Sequence, residues 1–387
     1  MLRMAIIWIR MAGALTFLSW RFFIPQRLYM RITMLIRLIF IACAFALLAC
    51  DSKVVAPESD DALHQNAPAE RRQVNVYSAR KEALIFPILK QFTEETGVVV
   101  NLLTGDADAL ISRIANEGEL GSADILITTD IGRLVRAKQQ GLTKAIDSEV
   151  LSQHIPAHLR DPAGHWFALT TRARPIMYST ANVKAEELDD LEDLAAENWR
   201  GKVCVRSSSN IYNQSLIAAL IIQQGEDFSL EFAKGLVANL ARPPKGGDKD
   251  QIKAVAAGQC DIAIANTYYL AGMLASKDAS QVAAAERVKV FWPNQSNRGA
   301  HINISGAVIT RHAPNPVAAK ELLEFMLGKE AQAWYAAHNH EYPVRKGVEP
   351  SEILRSFGTF KAEQINLEKV GELNGAALQL MDRAGWK

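Results

Sequence analysis

Three tyrosines carry the chemistry most in need of explanation in this chain of 387 residues. Tyr268 and Tyr269 are adjacent, following Asn266 and Thr267, and Tyr212 lies upstream in the polar run from Ser207 to Gln214. The chain holds 8 tyrosines in all, so a pair beside a polar segment is not explained by abundance. A phenol titrates near ~10 in water, but a strongly charged metal ion can hold it as phenolate at neutral pH. Hard cations prefer oxygen donors, and two or three phenolates neutralise most of the charge of a ferric ion. The trio points to an iron(III) site. The competing reading is structural: a strand with one ring in the core and the other at the surface.

The elements around these residues are legible from periodicity. Asp261 to Ala265 reads as a buried strand that delivers Asn266 and the tyrosine pair. Val203 to Arg206 reads as a strand leading into the Ser/Asn loop that holds Tyr212, with a helix from Leu216 to Gln224. Cys204 and Cys260 each lie eight residues before a key tyrosine, Tyr212 and Tyr268. A disulfide between them would tie two strands side by side and bring both tyrosines to one sheet edge. In the chain-entropy view it would contribute roughly 3–4 kcal/mol. Two separate buried thiols remain the alternative.

Further out, Val74–Tyr77 predicts a strand, Ala83–Glu95 a helix ended by Gly97, and Val98–Leu103 a strand. Asp108–Glu117 predicts a helix, and Asp124–Thr128 a buried strand that opens through Thr129 and Asp130 into another helix. This βαβαβ alternation means a largely parallel sheet with helices on both faces, its ligands bound beyond the strands' carboxyl ends. The alternation restarts with a strand at Arg174–Ser179. A helix at Asp248–Ala257 and strands at Val288–Trp292 and Ile302–Thr310 follow, then helices at Pro316–Phe325 and Glu330–His338. About 310 ordered residues exceed one comfortable core. The expected fold is α/β with two lobes, joined by hinge-crossing strands and enclosing a ligand cleft, as in type II-like periplasmic binding proteins. Lobe 1 is expected over 74–173 plus 299–349, and lobe 2 over 174–298 plus 350–387.

The first 49 residues contain six arginines and no Asp, Glu or Lys. Arg37, the apolar run Leu38–Ala49 and then Cys50 fit a secretory signal too short for an ordinary spanning helix. Small residues before Cys50 resemble a bacterial lipobox, which would make Cys50 a lipidation site, followed by a flexible tether over 50–73. Two leader-like stretches in tandem point to a true start at Met30 or Met34; a membrane anchor between Ile6 and Phe23 is the alternative, made awkward by Arg10. Either way the chain is expected in the periplasm or cell envelope, where an even pair of cysteines favours a disulfide. The whole chain carries a net charge of +1, so the part beyond the leader is about −5 and poorly suited to nucleic acid.

With these residues in view, the chain resembles the ferric-ion-binding solute receptors of bacterial iron ABC transporters. The resemblance runs from Val74 to about Ala384. It is densest at Tyr77–Arg80, Ala123–Ile125, Thr171–Arg174, Ser207–Leu216, Asp261–Tyr269 and His340–Pro343. It implies that Tyr212, Tyr268 and Tyr269 give phenolates to Fe(3+), in a monomer that serves an inner-membrane ABC permease and its ATPase. The first lobe departs from the pattern. Where better-known relatives carry a His or a His-Tyr pair, this chain has Lys81 and Glu82, and where another subset has a glutamate it has Thr129 beside Asp130. Glu82 can offer a carboxylate oxygen or simply complement a helix N-terminus. The remaining coordination positions then fall to a synergistic anion such as carbonate, or to water. Arg80, Arg172, Arg174, Ser208, Asn210 and Asn266 are the candidate anion donors; for the arginines, ion pairing is the alternative.

The 8 histidines form no metal pattern. His338 and His340 read as caps or packing, and His301 as support near the hinge return. Trp166, Trp292 and Trp334 read as core or interface rings. Gly246-Gly247 lacks the strand–loop–helix context of a phosphate cradle. No Gly-x-Ser-x-Gly elbow or paired carboxylate marks an enzyme. Other readings to weigh are a receptor for an organic cation or oxyanion, an exported metal enzyme, and an iron-free sensor lipoprotein.

Overall fold

Short β-branched runs bounded by glycine and polar residues become strands, and those at the centre of the sheets are buried on both faces, as helix cover demands. The computed structural model describes residues 72–387. The leader, Cys50 and the tether up to residue 71 lie outside the described residues. Order is in place at β1 (Gln73–Ser78), where Val74 and Val76 are fully buried.

The first sheet also contains β2 (Val99–Thr104), β3 (Ile125–Thr129), β4 (Thr143–Lys144), β5 (Phe167–Ala173), β10 (Ile302–Thr310) and β11 (Tyr342–Pro343). Its order is β11-β5-β10-β3-β1-β2, with β4 on β10. β1 runs parallel to β2 and β3, whereas β10 is antiparallel to β3 and β5. The second sheet is β7-β8-β6-β9, built from β6 (Ile176–Ser179), β7 (Val203–Cys204), β8 (Ile262–Ile264) and β9 (Val288–Phe291). The chain crosses between sheets at Ala173–Ile176 and again between Phe291 and Ile302.

Helices α1 (Phe86–Thr96), α2 (Ala107–Glu117) and α3 (Ile131–Gln139) alternate with the first strands. α1 buries Ile88, Leu89 and Phe92 and stops at Gly97, whose φ of 73° suits a residue without a Cβ. The helix expected from Ala83 is broken. A 3-10 turn at Glu82–Leu84 gives way at Ile85, because Pro87 cannot donate to the carbonyl of Ala83 and its ring would strike it. The second sheet carries α4 (Ile211–Gln224), α5 (Asp248–Ala256) and α6 (Thr267–Leu274). The chain then forms α7 (Pro316–Met326), α8 (Lys329–Trp334) and a π turn at Tyr335–Asn339, where a continuous helix was expected. α9 (Leu367–Glu372) packs on both α3 and α4, and α10 (Asn374–Arg383) packs on α4. Gly371 permits that approach: a Cβ there would come within 2.5 Å of the Val135 side chain.

Cys204 and Cys260 are bonded, with Cα atoms 6.0 Å apart, and Met177, Ile252, Leu270 and Met273 close around them. No helix among the described residues is long and apolar enough to cross a membrane.

Candidate metal centre

Two parallel strands and two helices build the site. β7 and β8 pair with Cys204 opposite Ala263, so their carboxyl ends lie side by side. Each strand leads to a helix whose second residue is a key tyrosine: Tyr212 in α4 and Tyr268 in α6. Tyr212 is therefore helical rather than in a loop, because the Asn210 side chain accepts from the Tyr212 backbone N–H at 3.2 Å and caps the helix there. The tyrosine pair likewise opens a helix instead of alternating along a strand. Both helix N-termini face the phenols, a placement that favours negative charge.

Tyr268 Oη donates to Tyr212 Oη at 3.3 Å, and the Tyr268 and Tyr269 ring centres are 4.3 Å apart. Neighbouring oxygens on a small octahedral cation lie about 3 Å apart, so the two hydroxyls are close to the spacing that one ion imposes. All three phenols are half-buried. Among the described residues, no group of three or more His, Cys, Asp or Glu side chains is arranged to hold a metal.

Cations surround the trio. The Arg172 guanidinium carbon is 5.3 Å from the Tyr268 ring centre, and those of Arg174 and Arg206 are 6.0 and 5.6 Å from Tyr212. Burial opposes ionisation of Tyr212, but the charge of Arg172 and hydrogen bonds from Tyr268 and Thr129 outweigh it and hold this phenol below its ordinary value. Burial and the neighbouring phenols push Tyr268 well above that value. Burial, Tyr212 and Asp248 push Tyr269 up to about 12. Tyr212 is thus the most readily ionised of the three phenols.

The arginines are themselves held by two buried acids. Asp248 accepts from Arg174 Nη1 at 2.9 Å, Arg206 Nη1 at 3.4 Å and the Asn266 N–H at 2.9 Å. Glu341 accepts from Arg80 Nη1 at 3.0 Å, Arg172 Nη2 at 3.2 Å and the Thr170 hydroxyl. The two arginines hold the Glu341 carboxyl down to about 2 against the cost of burial. Arg80 and Arg172 both also donate to Ser305 Oγ. Guanidinium edges remain free even so: Nε of Arg80, Arg172 and Arg174, and Nη1 of Arg172, are buried without a hydrogen-bond partner.

The candidates named from sequence divide accordingly. The structure brings together the three tyrosines, Arg172, Arg174 and Asn266, whose Nδ2 donates to Tyr268 Oη at 3.4 Å. Arg80 is buried and turns to Glu341 and Ser305 instead of facing the tyrosines. Asn210 spends its side-chain oxygen on the helix cap, and buried Ser208 uses its carbonyl to accept from Gln214. Glu82 and Lys81 are exposed on the 3-10 turn, and no hydrogen bond or ion pair links Glu82 to the tyrosines. His301 pairs with Glu363, away from the phenols. Sequence reasoning missed Glu341, Asp248 and Arg206. Glu341 stands inside the segment His340–Pro343 already singled out, but its partners lie 171 and 261 residues away in the chain.

Residues 121–356 match the family of bacterial extracellular solute-binding proteins. The chain is 45% identical over 330 residues to iron uptake protein A1 of Synechocystis sp., which spans 85% of this chain and 92% of that protein. Among solved structures, it is similar to a Trichodesmium protein (IdiA, FutA) in complex with iron and citrate ligands. The identity is 47% and the TM-score 0.79, covering 81% of this chain and 100% of the other. A ferric binding protein from Campylobacter jejuni is 41% identical with a TM-score of 0.78, again covering 81% of this chain and 100% of the other.

Proposed function

The chain belongs to the bacterial extracellular solute-binding proteins, in the group of ferric-ion receptors, and from that premise we propose that it binds iron(III) through the phenolates of Tyr212, Tyr268 and Tyr269 and delivers it to an ABC permease. Its work is binding, not catalysis. The observation that carries this reading is the 3.3 Å approach of two phenol oxygens at paired helix N-termini, ringed by arginines.

Charge accounting supports a bound anion. Three phenolates cancel the charge of iron(III). Arg80 and Arg172 exceed Glu341 by one charge, and Arg174 and Arg206 exceed Asp248 by one. A dianion such as carbonate, or the carboxylates of an organic acid, matches that surplus and the unpartnered guanidinium N–H groups. With Glu82 exposed, we assign the positions left open by the tyrosines to this anion or to water.

The wider reading is a monomeric receptor in the periplasm, tethered through lipidated Cys50, with Cys204 and Cys260 oxidised there and a permease–ATPase pair as partner. Its lobes comprise 74–173 plus 299–349 and 174–298 plus 350–387. The test is the visible spectrum of the soluble domain from about Ser52, with ferric citrate added and then removed. A stable coloured phenolate-to-iron band that is lost in Tyr268→Phe/Tyr269→Phe is expected. A colourless protein would overturn the assignment.

A further inference from the structure

Asp130 is a strained residue that the tyrosine chemistry does not use. It links β3 to α3 with φ 81° and ψ 131°, a region that residues with a Cβ avoid. Capping does not require this backbone, since an ordinary N-cap is extended. The fully buried carboxylate takes the Gly132 N–H at 2.9 Å, as a cap would. It also accepts from Asn303 Nδ2 of β10 at 2.8 Å and from Ser215 Oγ of α4 at 2.6 Å.

Ser215 belongs to the helix of the second sheet that carries Tyr212. It lies three residues further on, hence on the same helical face. The first sheet thus grips α4 one turn beyond Tyr212. Asn374, at the start of α10, donates to the same Ser215 oxygen at 3.2 Å. It presses so close to α3 that a Cβ on Gly132 would fall 2.0 Å from Asn374 Oδ1.

Resting on the iron reading above, we propose that Asp130 and Ser215 are positioning residues for the metal centre: their bond fixes the rotation and depth of α4 against the first sheet, and so holds Tyr212 against Tyr268 and Arg174. Neither residue touches the ion. A hydrogen bond to a buried carboxylate is stronger than one between neutral groups, so its loss loosens α4 and with it Tyr212.

The test uses the iron-loaded protein, the phenolate–iron band and the rate of iron loss to excess chelator. Ser215→Ala should keep the band, since all three phenols remain, yet lose iron about tenfold faster or more. Ser215→Thr, which restores the hydroxyl, should recover the rate. Asp130→Asn should accelerate loss, and the double variant should lose iron no faster than the more affected single. Should Ser215→Ala fail to fold, Asp130→Asn alone carries the rate test. A wild-type release rate in the folded single variants, whatever happens to their iron-free melting temperature, would assign the bond to folding only and overturn the proposal. Additive effects in the double variant would overturn it too. Failure of the iron reading is distinct: wild-type protein would then show no band and have no iron to lose.

Discussion

Iron capture by this centre should release two to three protons per ion, and the number follows from the phenols. Tyr268 lies well above its ordinary value and Tyr269 at about 12, so both are protonated in the iron-free protein at neutral pH. Tyr212 is pulled below its ordinary value and supplies the third proton in full or in part. The sign is fixed: iron binds the deprotonated form, so affinity is lost as pH falls and gained as it rises. Below the three phenol values, each pH unit should change the apparent constant by the number of protons released, roughly a hundredfold to a thousandfold, or about 2.7–4.1 kcal/mol. The assay is titration of the soluble protein with ferric citrate in weakly buffered solution containing a pH indicator, corrected for protons exchanged by the citrate. Tyr269→Phe should lower the count by one. Release of one proton or none by the wild-type protein would exclude the phenols as the ligands.

Three other perturbations are expected to act on the frame that holds the site. Glu341→Gln leaves Arg80 and Arg172 buried against an uncharged partner, and denaturant unfolding should show a loss of about 3–5 kcal/mol. Reducing the Cys204–Cys260 bond frees a segment closed across 56 residues, and calorimetry with and without reductant should show a loss of about 4 kcal/mol or less. Gly371→Ala drives a methyl group into Val135, which lies 2.5 Å from the new atom; α9 must shift, and thermal unfolding should report a cost of about 1–3 kcal/mol.

Much of the fold was legible because its elements obey simple periodicities. Ile302–Thr310 is a strand as expected, buried along its whole length. The misreadings have local causes. Pro87 splits a helix whose apolar spacing alone would run on, and Asn210 starts α4 five residues before its apolar face becomes obvious. The tyrosine cluster was legible because the spacing from Cys204 to Tyr212 repeats from Cys260 to Tyr268. In the fold, that repeat is one strand–turn–helix unit placed beside another in parallel register. The acids that hold the arginines were not legible. Asp248 reads as an ordinary first-turn acid of α5, and nothing local to it says that its carboxylate is fully buried under Arg174. Glu341 follows a π turn and a His340 with φ 53°, and neither irregularity leaves a periodic trace.

The placement of charge separates two contributions to the binding of the proposed anion: attraction to the arginines and coordination to the iron. An empty site with three protonated phenols is neutral, and a filled site with three phenolates and iron(III) is neutral as well. Loading therefore leaves the surplus of two positive charges around the cleft unchanged. That surplus is built in by Arg80, Arg172, Arg174 and Arg206 against Glu341 and Asp248. An anion drawn to it is attracted equally before and after the metal arrives. The metal would add only direct coordination, at positions the three tyrosines leave open, and the first sheet ends β3 on a neutral residue, Thr129. Replacing Thr129 with Glu should thus displace the anion by supplying its charge from the protein. In the iron-loaded Thr129→Glu variant, the absorption band should become insensitive to exchanging carbonate for citrate, whereas the wild-type band shifts. A variant band that still follows the anion would show that the arginine edges, not the open coordination positions, decide where the anion sits.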